Sequence, residues 1–428
     1  MKTPRSPGQS IQPEPRTEVV SMSETINPNS QDRLHFGRNF RLLVLTGTIS
    51  KTGIAGFQIA VLWIALLLTK SSILAGVADG MAVLPLVFSF AFGAYVDRQA
   101  SKKWLALLVS ATRVLSIFAL FIAFLIDNLL VETLSIYFVA FVIGLSTDIM
   151  DSTSASWSKQ FLDESQYKSG TSLSQGLGAL AESLGYALSG VFLILGLKFA
   201  VYSFAIIFAI AVIPILWIKN ERTANISAEN SINSSIKKGL NYVFKDSRLR
   251  ALVIIVLAIN LALGTIGIFL AYLIQDQFRL SAIYFTMLAV SLALGVIFGS
   301  ILGSIVRGKV GTYTIGTIMP IGGLLFLVGM NRSVYPDFVI TAVIGILIGI
   351  INVVINTAII KTVDNEMMGR VSGTIKTFGI SLMFLSGTIG GVLIRLITLQ
   401  GGFYLIGAIV CIASFTPLAF REFYNIRI

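Results

Sequence analysis

Ionisable side chains are scarce in the apolar parts of this sequence, and the few that occur there define the chemistry open to it. Lys51, Arg113 and Glu182 fall near the middle of three long apolar runs, and Asp79 lies nearer the start of another. Asp148 and Asp151 are three residues apart, so a helix carries both on one face. Lys376 sits one to two turns into a late run. A charge at the centre of a bilayer costs a few kcal/mol, so each of these positions is a functional signal. Two chemistries fit: proton carriage by a carboxyl group, and ion pairing that locks helices together. Glu182 suits either. Burial favours its neutral acid and a neighbouring Lys51 favours its carboxylate, so proton uptake and release of a bound molecule could compete there. The alternative is a fixed pair of Glu182 with Lys51 or Arg113. For Arg113 the expectation is a structural pairing with a carboxylate on the second or fourth helix. For Asp148 and Asp151 a second proton site and an intracellular gate stand equally. The only histidine, His35, precedes the first apolar run, and the only cysteine, Cys411, lies inside the last. A histidine relay or His-based metal site inside the membrane, an intrachain disulfide and Ser/His or Cys/His catalysis are thereby excluded. No Walker loop is present, so neither an enzyme nor an ATP-driven machine is expected, and no cofactor is called for.

The elements that must position these residues follow from composition. Hydrophobic residues make up 55% of the chain and charged ones 12%, against roughly a quarter charged in soluble domains. A mean hydropathy of +0.84 over 428 residues cannot be hidden in a water-soluble core, so lipid is the solvent. Crossing it takes about 20 apolar residues per helix, and the ten-residue alternation of a barrel is missing. Runs at 41–68, 73–95, 104–126, 134–156, 171–196 and 199–218 are followed by a polar stretch and then by runs at 250–274, 281–304, 312–331, 336–361, 370–396 and 402–420. The expected architecture is all-α: a disordered tail over 1–39, a six-helix bundle over 40–218, a linker over 219–249 and a second six-helix bundle over 250–428.

Lys and Arg crowd the loops on the side of the N-terminus, among them Arg98, Lys102, Lys103, Lys219, Arg248, Arg307 and Lys361, while Lys70, Lys198, Arg279, Arg332 and Arg395 face the other side. Both termini are therefore expected in the cytoplasm of a cell-membrane protein. The net charge of +11 belongs to this pattern and does not point to nucleic acid. Residues 162–194 overlay 363–395 without a gap, bringing Asp163 to Asp364, Gly178 to Gly379, Gly190 to Gly391 and Val191 to Val392. Repeated halves are a common way of building secondary transporters.

The most specific motif runs Gly93-Ala-Tyr-Val-Asp97-Arg98-Gln-Ala-Ser-Lys102-Lys103, at the end of the second run. It resembles the loop signature of the major facilitator superfamily, Gly-x-x-x-Asp-Arg-x-Gly-Arg-Arg. Gly93, Asp97 and Arg98 match; the basic pair comes one residue late and as lysines, and Ala100 replaces the second glycine. The resemblance implies that Gly93 lets helices 2 and 11 approach and that Asp97 faces Gly369 and Arg370 when the cytoplasmic side is closed. The equivalent turn of the second half, Gly303-Ser-Ile-Val-Arg307-Gly308-Lys309, lacks the acid.

Asn39-Phe-Arg-Leu-Leu, Gly239-Leu-Asn-Tyr242-Val-Phe and Asp364-Asn-Glu-Met-Met-Gly369-Arg370-Val resemble the drug:proton antiporter branch that includes macrolide-efflux and enterobactin-exporter proteins. Against that branch, Ile54 rather than an acid follows Gly53, and the helix-5 stretch Gly185-Tyr186-Ala-Leu-Ser189-Gly190 has no proline. The superfamily's architecture implies that helices 1, 4, 5, 7, 10 and 11 line a central cavity. Glu182 is then the leading proton carrier, with Gln58, Gln175, Asn260, Asn352 and Asn356 as hydrogen-bonding groups in an otherwise apolar cavity. Gly295, Gly299 and Gly303 make one smooth face on helix 8 for close packing. The expectation is a monomeric secondary transporter that exchanges protons for a small amphipathic organic molecule. The alternatives are a facilitator or importer of another solute, and a non-transporting membrane receptor.

Overall fold

The structure is a computed structural model that describes residues 36–88, 96, 99, 101–163, 166–219, 240–363 and 367–428, without the side chains of 168, 368–370, 372 and 376. It is nearly all helix. α1 spans Arg38–Thr69, α2 Ser72–Val83 with a 3₁₀ turn over Leu84–Phe88, α3 Lys102–Ile126, α4 Leu129–Phe161, α5 Tyr167–Leu195 and α6 Leu197–Trp217. α7 covers Ser247–Tyr272, α8 Ala282–Ser304, α9 Val310–Met330 and α10 Tyr335–Thr362. The last long element, Met368–Ser414, is broken at Thr398, where φ is 72° and ψ is 165°. It is treated below as α11 (368–397) and α12 (399–414).

Ten described helices are long and apolar enough to cross a membrane. The element broken at Thr398 has 47 residues, roughly 70 Å at 1.5 Å per residue, more than two hydrocarbon thicknesses of about 30 Å. Its two parts fold back on each other's neighbours, since Phe269 of α7 packs on Phe403 and would also meet a Cβ at Gly390.

Local sequence explains the helix starts. Ser71, Ser101 and Asn128 accept hydrogen bonds from the first free N–H groups of α2, α3 and α4. Gly196, at φ 124°, makes the turn from α5 to α6 in a conformation that L side chains rarely adopt. On α3 the side facing away from the protein carries Trp104, Leu108, Leu115, Phe118, Ile122 and Leu125, at helical spacing and largely exposed. Its opposite side buries Leu105, Val109, Arg113, Ile117 and Leu120. An exposed apolar stripe of that length is suited to lipid.

Helix pairing repeats along the chain: α1–α5, α2–α4 and α3–α6 recur as α7–α11, α8–α10 and α9–α12. The glycines aligned at an offset of 201 occupy matching places. Gly178 receives the Lys51 side chain of α1, and Gly379 receives Asn260 of α7. Gly190 lies against Ile283 and Thr286 of α8, and Gly391 against Ser72 and Ile73 of α2. The glycines of α8 pack within their own half. A Cβ on Gly295 or Gly299 would strike the α10 main chain at Ala342 or Ile346, while Gly345 and Gly349 face back to Leu292 and Val296.

Candidate functional site

Among the described residues the two halves meet chiefly along two seams: α2–α11, which runs from the end of the bundle where α2 and α8 begin, here called the far end, to Leu84–Phe88, and α5–α8, at the far end. In the first seam α2 and α11 touch main chain to main chain. Ser72 Oγ donates to the Gly391 carbonyl at 2.8 Å. A Cβ on Gly76 would collide with the Gly387 carbonyl, and one on Gly80 would lie 2.7 Å from the Phe384 carbonyl oxygen. The second seam joins α5 to α8 at Gly190 and Thr286. Beside it Trp63 of α1 stacks on Phe285 of α8 with ring centroids 5.8 Å apart.

Towards the opposite, near end the described residues include exposed polar positions. Residues 171–176 of α5, Thr-Ser-Leu-Ser-Gln-Gly, are exposed throughout, and nothing lies within 4 Å of a Cβ built on Gly176 or on Gly373 of α11. Asn352 and Asn356, one turn apart on α10, are exposed as well.

Between these ends lie the ionisable groups. Glu182 is exposed, and its Oε1 accepts from the Tyr186 hydroxyl one turn on, at 2.7 Å. Lys51 extends along α5 so that a Cβ on Gly178 would be 2.7 Å from its Nζ. The alternative of a fixed pair is not seen: among the described residues no ion pair within 4.0 Å joins Glu182 to Lys51 or to Arg113. Lys51 is itself exposed.

Arg113 is 1% exposed. Nε donates to Ser146 Oγ at 2.7 Å and Nη2 to Thr147 Oγ1 at 3.2 Å, with the Phe208 ring 5.8 Å from the guanidinium carbon. Asp151 acts on it electrostatically from one turn further along α4. Two hydroxyls and a ring face thus add to the acid on α4 in stabilising the buried guanidinium. Asp148 is buried on α4 and Asp151 exposed.

Asp79 lines a cavity of about 180 Å³ bounded by α1, α2, α4 and α11, with Gln58 and Thr147 as the other polar residues in walls of Ile54, Phe57, Ile143 and Met383. The Gln58 amide hydrogen-bonds the Asp79 carboxyl. Asn260 donates back to the Val256 carbonyl of its own helix at 2.8 Å, and Gln175 is exposed.

Of the loop motif, Gly93, Asp97 and Arg98 lie outside the described residues, as do the side chains of Gly369, Arg370 and Lys376. The two lysines are described. Lys102 is buried and donates to Ser156 Oγ of α4, while Lys103 donates to the carbonyls of Leu216 (2.8 Å) and Ile218 (2.7 Å) at the end of α6. Lys103 therefore caps a helix C-terminus, where free carbonyls and the helix dipole favour a cation. In this state both lysines bind within the first half. The position of Lys103 near the α6 end is not readable from local spacing, whereas the Glu182–Tyr186 contact and the Gly76/Gly80 and Gly345/Gly349 faces follow the i, i+4 rule.

Among the described residues, a helical bundle with repeated pairings, whose halves touch at α2–α11 and at α5–α8, has the plan of a secondary transporter. The sequence model of the Major Facilitator Superfamily matches residues 43–387. The chain belongs to this family and is a multi-pass membrane transporter, not an enzyme. No curated protein matches the sequence. Among solved structures it is similar to the nucleoside transporter NupG (TM-score 0.70, 14% identity, covering 90% of this chain and 99% of that one). It is also similar to a POT family transporter in complex with a thioalcohol-conjugated peptide (0.71, 13%, 90% and 96%). A third is the human organic anion transporter MFSD10, TETRAN (0.61, 15%, 89% and 98%). At these identities the likeness is one of fold.

Proposed function

We propose that the protein is a proton-coupled exporter of a small amphipathic organic compound, of drug or siderophore type, working by alternating access. The observation that carries this reading is the pair of seams between repeated halves, α2–α11 and α5–α8, with exposed polar residues of α5 and α10 towards the near end. Moving the halves about the cleft between them would close one end as the other opens. Twelve passes, grouped as 40–218 and 250–428 and joined by 219–249, account for the ten long helices, the short α2 and the break at Thr398. The lysine and arginine bias supports a near end and termini on the cytoplasmic side of the cell membrane, and on this reading the far-end contacts belong to an inward-facing state. The loop from Gly93 to Lys103 with Gly369 and Arg370 is then the near-end latch of the opposite state.

Glu182 is the group we assign to proton or substrate contact in the cleft, with Tyr186 orienting it. Gln175, Asn352 and Asn356 offer hydrogen bonds. Apolar walls with few polar anchors fit an amphipathic or cationic solute. A monomer suffices for this cycle.

The test is uptake of a fluorescent dye, a macrolide and a siderophore into inverted vesicles with an acidified lumen. The reading expects uptake that is abolished by a protonophore and by Glu182→Gln. Uptake that persists without the gradient replaces pumping by facilitated diffusion. No uptake of any of the three favours import of another solute.

A further inference from the structure

The α2–α11 seam is made of main chain and small residues, with one carboxyl built into it. A Cβ on Gly387 would lie 3.2 Å from Asp79 Oδ2, so the acid rests on the α11 backbone directly below the Gly76 contact. Its other side faces the cavity. Among the described residues, four elements bring groups towards it. From α1 comes the neutral Gln58 amide. From α4 comes Thr147, engaged by Arg113 of α3, followed along the helix by Asp148, which has partners of its own. From α5 comes Tyr186, bonded to Glu182 and close enough to Asp79 to feel its charge. From α11 come Ile380, Met383 and Gly387, none ionisable. Among the described residues no cation lies within 4.0 Å of the Asp79 carboxyl.

Such a place accepts a neutral acid and opposes a carboxylate. One amide and a main-chain surface can satisfy a protonated carboxyl, whereas an unpaired charge in an apolar wall is costly. Separating α2 from α11 would expose the same group to water from the far side, where the carboxylate is hydrated.

We propose that Asp79 is the proton-binding residue of the far gate. It takes a proton from the far side as the seam closes and holds the seam shut while protonated. On closing, hydronium from the far-side solution gives its proton to a carboxylate oxygen, one hydronium O–H bond breaking to leave water as the Asp79 O–H bond forms. On release that bond breaks and a water molecule admitted from the near side takes the proton as hydronium, so that one proton is moved and nothing else is consumed. The proposal rests on the alternating-access reading above and gives it a direction: an inward proton gradient drives the far gate shut. It also separates two roles, with Asp79 setting the gate and Glu182 serving the cleft.

The test uses the full chain with Cys411→Ala and a reporter, Ser72→Cys, in vesicles that present the far side outward. Labelling by a membrane-impermeant maleimide is normalised to Lys70→Cys, which is exposed, to cancel the reactivity of the thiol itself. One proton bound on sealing makes normalised labelling rise about tenfold per pH unit across the transition. Asp79→Asn is expected to stay protected and flat, Asp79→Glu to restore the slope, and Glu182→Gln to keep it. A flat profile with Asp79 intact overturns the proposal, and so does an unchanged slope in Asp79→Asn. Export that ignores a protonophore while the slope persists would remove the exporter reading and leave the gate assignment standing.

Discussion

Gly76→Ala adds one methyl group where the α2–α11 seam has no room for it. The new Cβ would press on the Gly387 carbonyl oxygen, and the Gly387 carbonyl carbon and the Thr388 nitrogen follow at 2.5 and 2.9 Å. These are main-chain atoms of a packed helix and cannot swing aside, so the helices must part by roughly 1 Å to reach ordinary contact. Overpacking of this kind costs about 1–3 kcal/mol. It falls only on the state in which the seam is closed, so the far-open population should rise by a factor of about 5–150. Gly190→Ala should act less, because the atoms it meets belong to the Thr286 and Ile283 side chains. Gly373→Ala, with nothing within 4 Å, should not act at all. The assay is pulsed electron spin resonance between labels at Lys70→Cys and Gln400→Cys, two exposed far-end positions, in a Cys411→Ala background. A longer far-end distance is expected in the order Gly76, Gly190, Gly373. An equal response from Gly76 and Gly373, or none from Gly76, would refute the claim that the seam is the gate.

Lys103→Gln should cost about 0.5–2 kcal/mol by uncapping the α6 carbonyls of Leu216 and Ile218, with partial recovery in Lys103→Arg, read as a shift in thermal unfolding in detergent. Gly322→Ala should destabilise by about 1–3 kcal/mol without moving the far-end spin distance, because its Cβ meets Gly407 and Cys411 inside the α9–α12 pair. Asp246 caps α7 outside the membrane span. Burial pushes its carboxyl up, but the hydrogen bonds and charge of Arg248 outweigh that and hold it below the usual carboxylate range. Its folded form is thus favoured above the ordinary carboxylate value, and that gain is lost as the pH falls through the lowered one. For so exposed a pair the loss is under about 1 kcal/mol. Asp246→Asn should flatten stability in this acid range.

Much of the fold was legible because lipid imposes a simple rule on composition and length. The runs that become α1, α5, α8 and α10 stand out by hydropathy alone, and the offset-201 glycines could be paired before any helix was placed. What those glycines touch was not legible, since a smooth face looks the same whether it meets its own half or the other. Gly295 and Gly299 turned out to serve α10, and the shorter Gly76/Gly80 pair serves the gate. Of the charges singled out by position, Arg113 and Asp148 are buried, while Lys51, Asp151 and Glu182 are exposed. Charge alone points to an acid near Arg113, and Asp151 acts on it, but Ser146 and Thr147 supply the hydrogen bonds. Hydroxyl partners leave no mark in a charge count.

The two seams are alike in backbone and unlike in chemistry, and that difference bears on coupling. Gly190 and Gly391 are equivalent in the repeat, and each lets a helix of one half touch the other. The α5–α8 contact at Gly190 involves Ile283 and Thr286, while the α2–α11 contact includes Asp79. A proton can therefore bias one seam directly and the other only through rigid-body motion of the halves. A machine with one titratable seam closes its far gate as a unit only if each half is stiff. The main-chain contacts of Gly56 with Gly185 in the first half, and of Gly299 with Ile346 in the second, supply that stiffness. Loosening either should leave proton binding at Asp79 intact and uncouple it from closure at Gly190.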